Sequence, residues 1–423
     1  MTQRNKNRTG YKKTEIGWIP KEWHCMKLGS EEEPVLQVIR NGLTVKQDRQ
    51  SGNYKVTRIE TISDGEINLS NVQYVTDVPT NIAQAYLIRK GDILFSHINS
   101  ESHLGKTAIA TQNYPDLLHG MNLLLFRVNP NKIAPEFLNF LFIFYRRLGV
   151  FRKYSSRAVN QSSLNQEVLK SLIIPLPTLP EQQRIIQILS TWDRAIDRVQ
   201  RLIEAKQRQK IKLVSQLLSR QKRFPGFQNE WKQVKLGAFL HPKFRKVVKP
   251  AGAYLRLGIR SHGKGTFTSV VDDPETIALT HLFQARKDDL IVNITFAWEG
   301  AITLVGPDGD GALVSHRFPT YVFDTSKMLP EYFKHLMVTD RFFYELVLIS
   351  PGGAGRNRVM NKGDFLKIMV TIPGVEEQKK IAGMLGGLDD QIDLLKKYLE
   401  KLKEQKKGLM QKLLTGEIRV KVN

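Results

Sequence analysis

At 423 residues the chain is long enough for two or three domains, and an apolar fraction of 41% with 9% aromatics excludes wholesale disorder. Sixty-four Lys and Arg against 41 Asp and Glu leave a formal charge of +23, which points to a polyanionic partner, because neutralised phosphates release their counterions. The one cysteine, Cys25, allows neither an intramolecular disulfide nor a cysteine-based zinc site, and there is no run of about 18 apolar residues to cross a membrane.

Residues 1–15, MTQRNKNRTGYKKTE, form a polar, flexible segment without the apolar core of a signal peptide, so the expected location is cytoplasmic, with no membrane attachment. GWIPKEWHCMKLG comes next and closes at Gly29. IRKGDILFSHI (88–98) reads as a polar turn and a short apolar strand, GKTAIA begins at Gly105, and LLLFRV (123–128) is a further strand. PEFLNFLF (135–142) is a helix with Pro in its first turn. SLNQEVLKSLIIPLP (163–177) then leads into a long helix at 181–219. Its apolar positions step by four and three as a coiled-coil seam does: Ile185, Leu189, Trp192, Ile196, Val199, Ile203, Lys206, Lys210, Leu213 and Leu217.

The series then starts again. PGFQNEWKQVKLG ends at Gly237, and ARKDDLIVNIT (285–295), GAITLV from Gly300, FPTYVF (318–323), PEYFKHLM (330–337) and VMNKGDFLKIMVTIP (359–373) come in the same order. A second long helix at 377–415 lies 196 positions after the first, with the seam Ile381, Leu385, Leu388, Ile392, Leu395, Leu399, Leu402, Lys406, Leu409 and Leu413. A helix of this length reaches about 58 Å, too far to bury in one domain core, so each copy is the expected partner of the other. The expected fold is α+β: two similar domains at 16–178 and 221–374, joined and separated by long helices at 179–220 and 375–415 in an antiparallel coiled coil, with a tail at 416–423. Because 225–237 comes directly after the first helix, 17–29 is expected to pack near the end of the second, giving a pseudo-two-fold, circular internal repeat. The frame is shared while the loops on it diverge, as in one scaffold that reads two targets.

Motifs for chemistry are missing. Neither a glycine-rich methyl-donor loop nor an N/D-P-P-Y/F tetrapeptide occurs, and Gly105-Lys106-Thr107 fails as a P-loop because Ser100 stands where glycine is needed. Gly306 to Gly311 reads as a hairpin turn, since a calcium loop counted from Asp308 would end on Pro319. Glu204-Ala205-Lys206 has a nuclease-like spacing but falls within the helix repeat, and no histidine pair has ligand spacing, so no metal site is expected.

The duplicated EW…KLG opening, the GDIL strand at 91–94, the PLP…EQ…I lead into a long helix and the closing LLTGEIRV at 413–420 together resemble the specificity subunit of a type I restriction-modification enzyme. The resemblance runs from about Gly17 to Val422 and rests on the order and duplication of these motifs. It implies a non-catalytic subunit of a restriction endonuclease and adenine methyltransferase complex. Its two target-recognition domains would each read half of an asymmetric, bipartite double-stranded DNA target across a helical spacer. Two methyltransferase subunits would dock on the helices and restriction/translocase subunits would join them. S-adenosylmethionine, ATP and Mg would reside on those partners, with no cofactor on this chain, and self-association through exposed helix faces is expected when partners are absent. The alternative is a coiled-coil adaptor that tethers an enzyme to nucleic acid without sequence readout.

Candidate DNA contacts are loops that combine Arg, Lys, Asn, Gln and Ser, which pair with base edges and donate to phosphates. One is 155–163, with Arg157, Asn160, Gln161 and Ser162, matched in the second half by Arg356, Asn357 and Arg358. Another lies just after the duplicated strand: Ser96, His97, Asn99 and Lys106 against Asn293, Thr295 and Trp298, with Arg317 in the same half. The third is Arg260, Ser261, His262 and Lys264, set against Arg40, Asn41 and Lys46. The seam lysines 206, 210 and 406 are expected to reach the helix edge and fix register.

Overall fold

The computed structural model describes residues 8–48, 50–63, 65–158, 161–352 and 358–422. The chain divides into two compact units, one of residues 1–199 with 398–423 and one of 200–397. The division falls within the long helices. The physical reason is that the helix termini belong to the unit cores. In the first unit Ile185, Leu189, Met410, Leu413 and Leu414 share a buried cluster with Trp23, Phe137, Phe142 and Tyr145. In the second, Leu213, Leu217, Ile381 and Leu385 do so with Trp231, Tyr332, Phe333 and Phe365.

Each unit has the same frame. The first holds an antiparallel four-stranded sheet in the order Leu36–Asn41, Leu123–Val128, Ile93–Ser96, Thr107–Ile109, and the second repeats it as Leu240–Pro242, Thr320–Phe323, Leu290–Val292, Ile302–Leu304. In both, the central strands are buried on both faces: Ile93 and Phe95, or Leu290 and Val292, pack in the cluster that holds the proline-led helix, while Leu94 packs with Ile62, Ile88 and Leu117 and Ile291 with Leu257 and Val314 on the other face. The helices Pro135–Arg147 and Pro330–Leu336 begin on proline, whose fixed φ and missing N–H suit the first turn. A two-stranded sheet ties each opening segment to the strand before the long helix: His24–Lys27 with Ile173–Leu176, and Lys232–Lys235 with Met369–Ile372.

The units differ in what is inserted between these elements. The first carries a three-stranded sheet of Leu117–Leu118, Tyr54–Val56 and Gln73–Val75; the second carries a five-stranded sheet with Lys246–Val248 and Thr266–Val271 at its two edges. Gly306 to Gly311, expected as a hairpin turn, instead crosses between sheets: Ile302–Leu304 belongs to the four-stranded sheet and Leu313–Val314 to the five-stranded one.

The long helices span Leu179–Leu218 and Val375–Leu414. They pack antiparallel. In the first unit Lys406 pairs with Asp193, and in the second Lys210 pairs with Asp389. Both pairs have residue numbers adding to 599, so the two units hold the helices in one register, and a shift of 196 converts either pair into the other. The expected edge role of these two lysines is thus fulfilled by a partner on the opposite helix. Of the seam residues, Ile185, Leu189, Ile203, Ile381, Leu385, Leu388, Ile392 and Leu399 are buried, and Trp192, Ile196, Val199 and Leu395 are half-buried.

The repeated Glu-Gln at the start of each helix now has a physical role. Gln182 donates to the carbonyls of Lys132 and Pro177 and accepts from Ala134 N–H at 2.8 Å; Gln378 donates to Lys327 and Pro373 and accepts from Leu329 N–H at 2.9 Å. Each glutamine thereby stitches the long helix to the start of the proline-led helix. The neighbouring glutamates hold a tryptophan and an arginine. Trp23 Nε1 donates to Glu181 at 2.9 Å, and Arg419 donates to both carboxylate oxygens at 2.6 and 3.0 Å. Trp231 Nε1 donates to Glu377 at 3.2 Å, and Arg223 donates to both of its oxygens at 2.9 and 2.7 Å. In the first unit the indole comes from the N-terminal segment and the guanidinium from the C-terminal one, so 17–29 does pack at the end of the second helix. Tyr11 adds a hydrogen bond to the Gly416 carbonyl at 2.6 Å. The internal repeat is circular.

Candidate nucleic-acid interface

One corner of the second unit gathers most of that half's candidate contacts. The strand Leu290–Val292 delivers Asn293, whose side-chain oxygen accepts from Thr295 N–H at 3.1 Å and sets a tight turn. The Thr295 carbonyl then accepts from Trp298 Nε1 at 3.1 Å, and its hydroxyl oxygen accepts from Arg317 Nη1 at 3.1 Å. Arg358 lies over the Trp298 ring, 5.4 Å from its centroid. The turn at 260–265 is pinned beside them: His262 N–H donates to the Glu299 carbonyl at 2.8 Å, Gly263 N–H to the Gly300 carbonyl at 2.9 Å, and Ser261 Oγ to the Glu299 carboxylate at 3.0 Å. His262 is exposed and stands in the left-handed region with φ 62°, a conformation that these bonds hold in place. Arg260 is oriented by the Thr266 carbonyl and by the Phe267 ring at 5.1 Å. Arg260, His262, Lys264 and Arg317 are exposed, so cationic and imidazole donors share this surface. Arg356 and Asn357 lie outside the described residues.

The first unit uses its candidates differently. Strands Ser156–Ala158 and Gln161–Ser163 join Ile98–Asn99 in a three-stranded sheet, which brings Arg157, Gln161 and Ser162 beside Asn99 in the backbone pairing, with Ser162 directly opposite Asn99. Asn160 lies outside the described residues. Three of the expected contacts turn inward. Ser96 is 1% exposed, Ser162 5% and His97 8%, so none presents a side chain to a ligand. Lys106 is half-buried and donates to the Ser63 carbonyl at 2.6 Å, a brace across the unit. Arg40 stacks on Tyr86 at 5.1 Å and donates to the Ala85 carbonyl.

The reason for His97 is visible in the repeat. Its carbonyl accepts from Leu164 N–H at 2.8 Å, as the carbonyl of buried Ile294 accepts from Met360 N–H at 2.8 Å. His97 thus fills an aliphatic position of the shared frame. Burial lowers its pKa to about 4, opposed by the hydrogen bond its ring donates to the Asn122 backbone, and its Nδ1 has no partner among the described residues. The unfolded chain protonates this ring near the ordinary 6.5, so the folded state is stable with it neutral above that value and loses stability as pH falls toward 4. His97→Ile will therefore flatten the fall in Tm between about pH 7 and 5. An unchanged slope in thermal melts across that range contradicts a buried, neutral His97.

Sequence reasoning missed the Trp-Glu-Arg clasps, although their signal was present: Glu181 and Glu377, and Arg223 and Arg419, keep the offset of 196. It also missed the buried aspartates of the duplicated GD and DD turns. Asp92 is bound by Arg127 at 2.7 and 2.6 Å, and Asp289 by Arg245 at 2.6 and 3.0 Å. These arginines come from different places in the two frames, so no common spacing marks them.

Comparison with known proteins agrees with this architecture. The model of the family described as "Type I restriction modification DNA specificity domain" matches residues 20–207 and 254–404. A putative type I restriction enzyme MjaX specificity subunit from Methanocaldococcus jannaschii is 36% identical over 434 residues, covering 97% of each chain. The MjaVIII specificity subunit of the same organism is 22% identical over 433 residues, covering 95% of this chain and 94% of its own. Among solved structures, the type I restriction-modification S subunit from M. genitalium aligns with a TM-score of 0.58 at 15% identity, covering 98% of this chain and 99% of that one. A second, from work on complex assembly and conformational transition of the type I R-M system, aligns at 0.55 and 17% identity, covering 95% and 99%. At those identities the solved structures establish the shared fold. With its duplicated frame and long paired helices, the chain belongs to the type I restriction-modification DNA specificity family.

Proposed function

We propose that this chain is the non-catalytic, DNA-reading subunit of its complex, in which each unit reads one half of a bipartite, asymmetric duplex target. The observation that carries this reading is the contrast between a frame kept twice, strand for strand, and the unlike sheets and loops hung on it: a three-stranded insertion in one unit, a five-stranded one with an arginine-rich corner in the other. A scaffold that only tethered an enzyme to nucleic acid would have no use for two different surfaces on one frame. The charge of +23 supplies the sequence-independent part of binding, and the base-facing loops the selective part. Two methyltransferase subunits dock on the outward faces of the long helices, restriction/translocase subunits join them, and S-adenosylmethionine, ATP and Mg act on those partners.

Selection from random duplexes by the purified chain with its methyltransferase subunit tests this. Enrichment of two short motifs at fixed separation is expected. Featureless, salt-sensitive retention would mean an adaptor without readout, and cofactor-dependent modification of DNA by the chain alone would overturn the non-catalytic assignment.

A further inference from the structure

Six arginines of the second unit make an informative contrast. Arg223, Arg245 and Arg286 are paired with the carboxylates of Glu377, Asp289 and Asp310, which neutralise them within the fold. Arg260, Arg317 and Arg358 are oriented by neutral groups instead, a carbonyl with a phenyl ring, a hydroxyl, and an indole face, and all three lie at the corner built by Asn293, Thr295 and Trp298. A guanidinium held in place without losing its charge is ordered for an acceptor that the protein itself does not supply.

Arg317 is the one of the three bonded to a side chain of this corner: an N–H on Nη1 is committed to Thr295 Oγ1, whereas Arg260 is held by the Thr266 carbonyl and the Phe267 ring of its own hairpin and Arg358 by a ring contact. The remaining Nη2 and Nε donors lie in one plane at an exposed position. That fork matches two acceptors side by side, and in the major groove guanine alone offers such a pair, O6 and N7. A phosphate also accepts from such a fork, and the two are separated by whether loss of the arginine affects one base position or all sequences alike.

We infer that Arg317 reads a guanine in the half-site bound by the second unit, with Thr295 as the residue that positions its guanidinium. The inference rests on the proposed DNA-reading function and adds the base and the residue. The test is the same random-duplex selection with the full chain and its methyltransferase subunit, run for the wild type, Arg317→Ala, Arg317→Lys and Thr295→Val, each with a melting temperature checked against wild type. For Arg317→Ala, one position in one half-site is expected to change from G to unselective, with affinity for the wild-type target lower by roughly 5- to 150-fold and the other half-site unchanged. Thr295→Val is expected to weaken the preference at that same position, and Arg317→Lys to leave it between the two. An Arg317→Ala motif identical to wild type, with binding equally weaker on all sequences, makes Arg317 a phosphate contact and overturns the inference, as does no effect at all. A wild-type chain that selects no motif overturns the DNA-reading function itself, a separable result.

Discussion

If each unit reads one half-site, as proposed, deleting one heptad from each long helix at matching levels, 197–203 from the first and 396–402 from the second, will shorten the gap between the two half-sites by about three base pairs and leave both half-sites as they were. The levels match because residue numbers in the helix pairs add to 599. Seven residues remove about 10 Å of helix, and duplex DNA rises about 3.4 Å per base pair. A heptad keeps the seam in phase, since it turns the helix by only about 20°, so Ile196 still leads to a seam residue as before. Three base pairs, however, turn the duplex by roughly 100°, so the shortened chain will bind its new target more weakly than the wild type binds its own. Duplex selection with the methyltransferase subunit present reads both quantities. Altered half-sites with an unchanged gap would mean that the loops, and not the helices, set the spacing.

The parts of the fold legible in the sequence are those written as a period or a copy. Helix ends expected at 181–219 and 377–415 are found at Leu179–Leu218 and Val375–Leu414, because the heptad steps and the prolines before them are local signals. The circular closure was legible for the same reason: the Glu-Trp segment after the first helix has its copy at 17–29, and that copy finds the equivalent place only at the end of the second helix. The candidate contacts were legible only as loops. Ser96, His97 and Ser162 have the right chemistry for DNA but sit on or beside strands whose neighbours bury them, and no residue type announces which face of a short strand turns inward. The Arg317 to Thr295 bond joins residues 22 apart through a turn set by Asn293, and Arg358 reaches Trp298 from another element. Such pairings depend on tertiary placement, which composition cannot carry. The clasps failed to stand out for a simpler reason: a buried Glu with a Trp and an Arg is a three-body arrangement, and its members stand far apart along the chain.

The largest stability effect will come from Trp23→Ala. The indole is fully buried in a cluster that also contains Ile185, Leu189, Tyr145 and Leu413, and truncating such a side chain costs about 3–5 kcal/mol in transfer and cavity terms. Trp23 Nε1 is also a donor to Glu181, which is itself buried, so Trp23→Phe will recover most of the packing but keep the loss of that hydrogen bond, about 1 kcal/mol. Trp231→Ala removes the equivalent contact in the second unit, yet the two substitutions will not have the same reach. Arg223 and Trp231 lie in one short loop, so the backbone still holds them together when the indole is gone. Trp23 and Arg419 belong to opposite ends of the chain, and side-chain contacts such as Trp23 to Glu181, Arg419 to Glu22 and Tyr11 to Gly416 join those ends. Without Trp23 both terminal segments gain chain entropy at once, and with it access to proteases. Thermal melts will show a lower midpoint for both alanine variants, and limited proteolysis will trim the termini early in Trp23→Ala and not in Trp231→Ala. Equal trimming in the two would mean that the termini are held by contacts other than the clasp.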